Sequence, residues 1–314
     1  MSRVSRLAKY IMMALGNPVF DIIETPYVKT DGRVLSGCSV NAALAVGKLG
    51  GNAIIVGCVG EDFREYMLQK LREYGVNAYV FPSYESGGFH LRYIDATMND
   101  RTLRIIGRAG RIKLEAIPSD LLGESESILF GPILDELDID SVVKLARDAK
   151  DKFLVVDPQG FIRECRGDDI VRVNNPRIRE IIEVTDVFKP NEHEAEVIFG
   201  DMNPIKIAKR ILKYGASVGI VTLAERGSIV AFDDKVYRIL AYRTSARDPT
   251  GCGDVYAGAL MYYYVRHGNI LEAAAFASAA ASFMVESTGP DFMINKKELD
   301  KRFEWILERV ERVE

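Results

Sequence analysis

Short apolar runs, many of them β-branched, recur along the chain at residues 11–15, 53–58, 78–81, 128–130, 153–156 and 218–223. Between them the apolar positions switch to a helical spacing. Phe63, Met67, Leu68 and Leu71 form one such stripe, Val142, Val143, Leu145, Ala146 and Ala149 a second, and Ile205, Ala208, Ile211 and Leu212 a third. Gly75 and Gly215 follow the first and third stripes, where a helix C-cap needs a residue tolerant of the left-handed conformation. Alternation of this kind predicts an α/β fold of three layers, a mostly parallel central sheet with helices on both faces. No linker or repeat divides the chain, so one domain over residues 1–314 is expected.

Two stretches break the alternation. Residues about 21–36 and 88–107 are rich in β-formers yet are followed by no crossover helix. Strands without crossovers do not join a parallel sheet readily. These two insertions are therefore expected to form a small separate sheet, a β lid able to close over a substrate and exclude water. A pair of surface hairpins without function is the plainer alternative.

Composition narrows the class. The chain has 314 residues, 48% of them hydrophobic, and a formal net charge of −4. Such a chain can bury a sizeable core, and its interspersed charges leave no basic footprint for nucleic acid. Residues 1–10 are basic and read as an edge extension before the first strand. The apolar stretch that follows is broken by Gly16, Asn17 and Pro18, too short for a secretion signal or a membrane span. A cytoplasmic protein with no membrane partner is expected. Four dispersed cysteines and three histidines offer no zinc spacing.

The densest candidate chemistry is the run Asp248-Pro249-Thr250-Gly251-Cys252-Gly253-Asp254, which leads into an apolar helix. Amides of Gly251, Cys252 and Gly253 at a helix N-terminus can hold an anion. Asp254 beside that anion is electrostatically unfavourable unless it does chemistry. A base that takes a hydroxyl proton next to a held phosphoryl group gives it such a role and points to a kinase. Plain helix capping uses the same residue types. No Gly-x-x-x-x-Gly-Lys-Ser/Thr occurs, and the turn lacks the third glycine of a dinucleotide loop. Asn191 and Glu194, one helical turn apart, suit either a capping box or Mg²⁺ held through water.

Four motifs in order resemble the ribokinase (PfkB-type) family of carbohydrate kinases. They are Ser36-Gly37-Cys38-Ser39-Val40-Asn41 with the later Val56-Gly57-Cys58-Val59-Gly60-Glu61-Asp62, then Lys189-Pro190-Asn191-Glu192-His193-Glu194, then Val221 to Gly227, and last Asp248 to Asp254. The resemblance covers nearly the whole chain and implies a ribokinase-like fold and an ATP- and Mg²⁺-dependent phosphotransferase. It makes Asp254 the general base, with Gly251, Cys252 and Gly253 as the anion hole. It places Asp21, Gly37 and Asn41 at the substrate, with Arg163 after them. Thr222, Arg226 and Gly227, with Asn191, would contact nucleotide, and Ala277 and Ala280 would line an adenine slot. Glu194, with Asn191, would hold Mg²⁺ through water.

The motifs depart from the family pattern at Ser36, Cys38, Ala224 and Cys252, where glycine or another small residue is usual. Cys252, at a helix N-terminus, is expected to have a lowered thiol pKa and to be sensitive to oxidation. The stretch Asp157-Pro158-Gln159-Gly160-Phe161-Ile162-Arg163 resembles members acting on sugars or inositol. The expected substrate is thus a sugar or a polyol such as myo-inositol. A nucleoside is the alternative, with Phe89, Tyr93 or Phe161 stacking on its base. A non-catalytic sugar- or nucleotide-binding protein is the alternative of another class. Lid sheets in the family often pair, which implies a homodimer through the lid.

Overall fold

The computed structural model describes residues 9–98 and 100–314, so the extension expected over residues 1–10 lies almost wholly outside the described residues. In chain order the first half contains β1 (Tyr10–Leu15), β2 (Val19–Glu24), β3 (Val34–Ser36), α1 (Cys38–Lys48), β4 (Ala53–Gly60), α2 (Glu61–Glu73), β5 (Val76–Ser83), β6 (Gly88–Tyr93), β7 (Arg101–Gly107), α3 (Ser119–Gly123), β8 (Ser125–Phe130) and α4 (Ile139–Asp148). The second half contains β9 (Phe153–Val156), β10 (Arg163–Arg166), β11 (Asp169–Arg172), α5 (Ile178–Ile182), β12 (Val187–Phe188), α6 (Glu192–Phe199), α7 (Pro204–Lys213), β13 (Val218–Thr222), β14 (Ser228–Phe232) and β15 (Lys235–Ile239). Three long helices follow, α8 (Cys252–His267), α9 (Ile270–Met284) and α10 (Lys296–Leu307), before the short edge strand β16 (Glu311–Arg312).

Ten strands make the main sheet, in the order β16-β15-β14-β13-β12-β9-β8-β1-β4-β5. From β13 to β5 every neighbouring pair is parallel, and β14, β15 and β16 add an antiparallel edge. All residues of β1 and β4 are buried, as a parallel sheet covered on both faces requires. The side chains divide between two cores by strand alternation. Met12 and Ala14 join α1, α8 and α9 on one face, while Met13 and Leu15 join α4, α5 and α7 on the other. The three-layer α/β/α architecture follows directly from that division.

The second sheet has six strands, in the order β10-β11-β7-β6-β2-β3. It takes in both stretches that broke the alternation, and it adds the hairpin of β10 and β11. That third piece has no apolar alternation to announce it. Glu164, Arg166 and Asp169 are exposed, and Cys165 and Ile170 are only half-buried.

Small residues set how closely the helices approach. A Cβ on Gly258 of α8 would stand 2.2 Å from the Ala42 carbonyl oxygen of α1. Only glycine lets these two helix backbones meet, and their contact brings the N-terminal turns of α1 and α8 together.

Candidate active site

The carboxyl ends of the parallel strands converge on the N-termini of α1, α6 and α8, the place where open α/β sheets bind ligands. Asp254 stands in the first turn of α8, just after Gly251, which adopts the left-handed conformation with φ 82°. Its Oδ2 accepts a hydrogen bond from Asn41 Nδ2 at 2.9 Å, and its Oδ1 accepts one from Gln159 Nε2 at 3.4 Å. A Cβ on Gly251 would come within 2.7 Å of that same Asn41 nitrogen. Burial, and then the charge of Asp157, push the Asp254 carboxyl above the usual carboxylate range, against the pull of Asn41 and Lys189.

Two further residues complete this cluster. Asp157 follows β9 and Lys189 follows β12, and Lys189 Nζ lies 2.7 Å from Asp157 Oδ2 with both side chains at most 5% exposed. The Cys38 sulfur and the carboxylates of Asp157 and Asp254 lie within 4.8 Å of one another. Burial opposes the charge on Lys189. The Asp157 carboxylate and its hydrogen bond outweigh that effect and hold the ammonium above its ordinary range. Lys189 Nζ also lies 3.6 Å from where a Cβ on Gly253 would stand, so this cation rests against the glycine turn. The sequence offered one signal for it, a lysine between a strand end and a helix cap.

At the second-sheet side of the cluster, Asp21 of β2 is 3% exposed, and its Oδ1 accepts from the Phe89 amide at 2.9 Å. Burial pushes its carboxyl up to about 6, against hydrogen bonds from Ser36 and Phe89 and the charges of Arg101 and Arg33. Gly37, with φ 112°, turns the chain into α1 ahead of Cys38 and Asn41. Arg163 is buried and donates to the Ile133 carbonyl at 2.9 Å, and burial and then the nearby Arg101 charge lower its pKa. Arg101 itself, from β7, had no assigned role in the sequence. It reaches the glycine turn through Tyr93 and Thr250.

At the head of α6, Asn191 and Glu194 form the capping box that their spacing allowed. Glu194 N donates to Asn191 Oδ1, and Asn191 N donates to Glu194 Oε2, both at 2.9 Å. Glu194 is buried, and burial and then the Asp157 charge push its carboxyl up. A β-bridge between Asn191 and Thr222 joins this corner to the end of β13. Beyond it, Arg226 pairs with Glu192. Gly227 has φ 87°, and a Cβ there would stand 1.9 Å from the Ile239 carbonyl oxygen. Ala224, where glycine is common in the family, holds a left-handed φ of 51° that an alanine adopts only with strain.

Three expectations change. Ala277 and Ala280 have 0% exposure inside the α8–α9 contact, so they pack the helices together and offer no surface to a base in this conformation. The Cys252 thiol is pushed well above its ordinary range, not below it: burial and the charges of Asp248 and Asp254 outweigh the helix N-terminus. The second sheet draws on three segments rather than the two expected, because β10 and β11 join it. Among the described residues, no helix is long and apolar enough to cross a membrane.

Comparison with known proteins places the family. The model of the pfkB family of carbohydrate kinases matches residues 17–297. A nucleoside kinase of Methanothermobacter thermautotrophicus is 27% identical over 306 residues, covering 93% of this chain and 95% of that one. A ribokinase of Lactococcus lactis is 26% identical, covering 85% of this chain and 84% of its own. Among solved structures, a pyrophosphate-dependent kinase in the ribokinase family, complexed with a pyrophosphate analogue and myo-inositol, superposes with a TM-score of 0.78 at 23% identity, covering 92% of this chain and 99% of that chain. With Asp254 behind a left-handed glycine at the head of α8 and a family match over most of its length, the chain belongs to the pfkB family of carbohydrate kinases, and it is a phosphotransferase.

Proposed function

We propose that this enzyme transfers the terminal phosphoryl group of ATP to a hydroxyl of a small polyhydroxylated substrate, a sugar or a polyol such as myo-inositol. The observation that carries the reading is the placement of Asp254. It is a partly buried carboxylate with a raised proton affinity, at a helix N-terminus whose left-handed glycine turn can hold an anion. Asp254 takes the proton of the attacking hydroxyl, and Asn41 fixes the carboxylate orientation. The amides of Gly251 and Gly253 meet the charge that develops on the phosphoryl oxygens, whereas the Cys252 amide, expected to join them, already donates to the Pro249 carbonyl at 3.2 Å. Asp21, Gly37, Asn41 and Arg163 orient the acceptor. Asn191, Thr222, Arg226 and Gly227 border the donor.

The donor corner suits a cation. Glu194, Asp157 and Asp254 gather near the buried cations Lys189 and Arg163, and burial, then the Asp157 charge, push Glu194 up against the pull of both cations. Mg²⁺ held through water by Glu194 and Asn191 would neutralise donor phosphate charge. The second sheet, residues about 21–36 and 88–107 together with the β10–β11 hairpin, serves as the lid and as the surface of a homodimer.

A nucleoside acceptor is the second reading. The 27% identical nucleoside kinase of Methanothermobacter thermautotrophicus favours it. An ATP-consumption panel over sugars, polyols and nucleosides with Mg²⁺ tests both, with Asp254→Asn as the blank. A nucleoside giving the highest kcat/KM selects the second reading. No turnover with any acceptor, by a folded wild type, moves the chain to the class of binding proteins.

A further inference from the structure

Tyr93 and Arg101 are register partners at the end of the β6–β7 hairpin, in the sheet that does not belong to the main core. Tyr93 Oη lies 3.0 Å from Thr250 Oγ1, a hydrogen bond across 157 residues of sequence. Arg101 Nη1 donates to the same tyrosine oxygen at 2.7 Å. Thr250 immediately precedes Gly251, and its amide donates to Asp248 Oδ1 at 2.9 Å. The hairpin end is therefore fastened to the turn that holds the anion-binding amides.

Arg101 is left with most of its donors uncommitted. A guanidinium carries five N–H groups, and Tyr93 is the hydrogen-bond partner found for it among the described residues. No carboxylate there forms an ion pair with it. The charges that act on it include those of Asp254 and Asp21, the base on one side and the acceptor-facing carboxylate on the other. A structural arginine in a partly buried site is ordinarily paired with a carboxylate. This one is held by a tyrosine and keeps a fork of donors for an incoming anion.

We propose that Arg101 is a catalytic residue whose guanidinium contacts the transferring phosphoryl group, with the Tyr93–Thr250 bond as the latch that places it. The proposal rests on the kinase reading above. In the step, the acceptor oxygen forms a bond to phosphorus and its proton passes to Asp254. The bond from phosphorus to the bridging oxygen of ATP breaks, and its electron pair stays on ADP. Charge spreads over the equatorial phosphoryl oxygens as this happens, and a planar fork of N–H donors matches that geometry. An anionic substituent on the acceptor would recognise the same fork, so a neutral acceptor is used to separate the two.

The test uses full-length enzyme, MgATP and the neutral acceptor with the highest turnover in the panel. Arg101→Ala is expected to lower kcat by about 10²–10³-fold, the range found for removing one charge-stabilising donor, with both KM values within about threefold. Guanidinium ion added to that variant is expected to restore turnover saturably. Tyr93→Phe should lower kcat less, by about tenfold, because the arginine remains but loses its anchor. Arg101→Gln carries the same test if the alanine variant does not show a wild-type thermal transition. A folded variant with kcat within about threefold of wild type overturns the proposal, as does a loss confined to the acceptor KM. Failure of guanidinium to restore any turnover also counts against it. An inactive wild type sinks the kinase reading too, whereas an active wild type beside an unaffected Arg101→Ala removes this proposal alone.

Discussion

Asn41 on α1 donates a 2.9 Å hydrogen bond to Asp254 on α8, joining residues 213 positions apart in the chain. The bond exists because two glycines let the helices close. Gly258 meets the Ala42 carbonyl, and Gly251 meets the Asn41 amide. A methyl group at either place would strike a neighbour fixed by helix packing. Gly258→Ala is thus expected to cost about 1–3 kcal/mol, as overpacking does, and to lower turnover by separating Asn41 from Asp254. Thermal unfolding and kcat measured on the same preparation check both. A variant that is less stable but fully active would show that the separation does not matter.

Asp254→Asn should reduce kcat by about 10²–10⁴-fold while nucleotide binding persists, since it removes a general base and leaves the turn amides in place. Isothermal titration with ATP alongside steady-state turnover reads the two quantities separately. Wild-type turnover in the variant would remove Asp254 from the mechanism.

The raised proton affinity of Asp254 fixes the sign of the pH dependence. The base works only when ionised, so kcat/KM should climb with pH through a limb displaced above the ordinary carboxylate range, then level off. A Lys189→Met change removes a charge that pulls the Asp254 pKa down, and the limb should move to higher pH.

Asp21 shifts from 3.8 to about 6 on folding because it is buried. The folded state therefore holds its proton more tightly than the unfolded chain. That contribution is fully present below pH 3.8 and is lost as pH rises through about 6. Its loss, complete above about pH 6, amounts to at most about 3 kcal/mol relative to low pH. Asp21→Asn should raise the unfolding temperature relative to wild type at pH 8, with a smaller gain at pH 4.5, while weakening acceptor binding. An equal shift at the two pH values would contradict this assignment.

Lys189 and Asp157 are a buried pair, so removing one partner strands the other charge. Lys189→Met is expected to destabilise by about 3–5 kcal/mol, and Lys189→Met with Asp157→Asn to recover much of it. Urea unfolding of the three proteins measures the coupling.

Cys252→Ala should behave like wild type toward peroxide at neutral pH, because the half-buried thiol it removes stays protonated beside Asp248 and Asp254. Selective inactivation of wild type, with the alanine variant spared, would reverse that conclusion.

Much of this molecule was legible before any coordinates. Apolar runs with two periods gave the parallel strands and their crossover helices, since side-chain alternation and helix spacing are local consequences of backbone geometry. The glycine turn and Asp254 stood out for the same reason: an anion site at a helix N-terminus needs its residues in one short segment. The β10–β11 hairpin escaped notice because its solvated strands carry polar residues on both faces.

The sequence by itself determined the layers, the glycine turn ahead of α8 and the family motifs, because each is written in neighbouring residues. Tertiary structure alone decided which distant groups share the site. Lys189 meets Asp157 only because β9 and β12 are adjacent and parallel, ending at the same edge. Arg101 is linked to Thr250 through Tyr93 only because a hairpin from the second sheet meets the turn ahead of α8. Ala277 and Ala280 read equally as slot or packing until α9 closed on α8 and buried them. Electrostatics and close packing act through space rather than along the chain, and strand order and helix contact settle which charges meet.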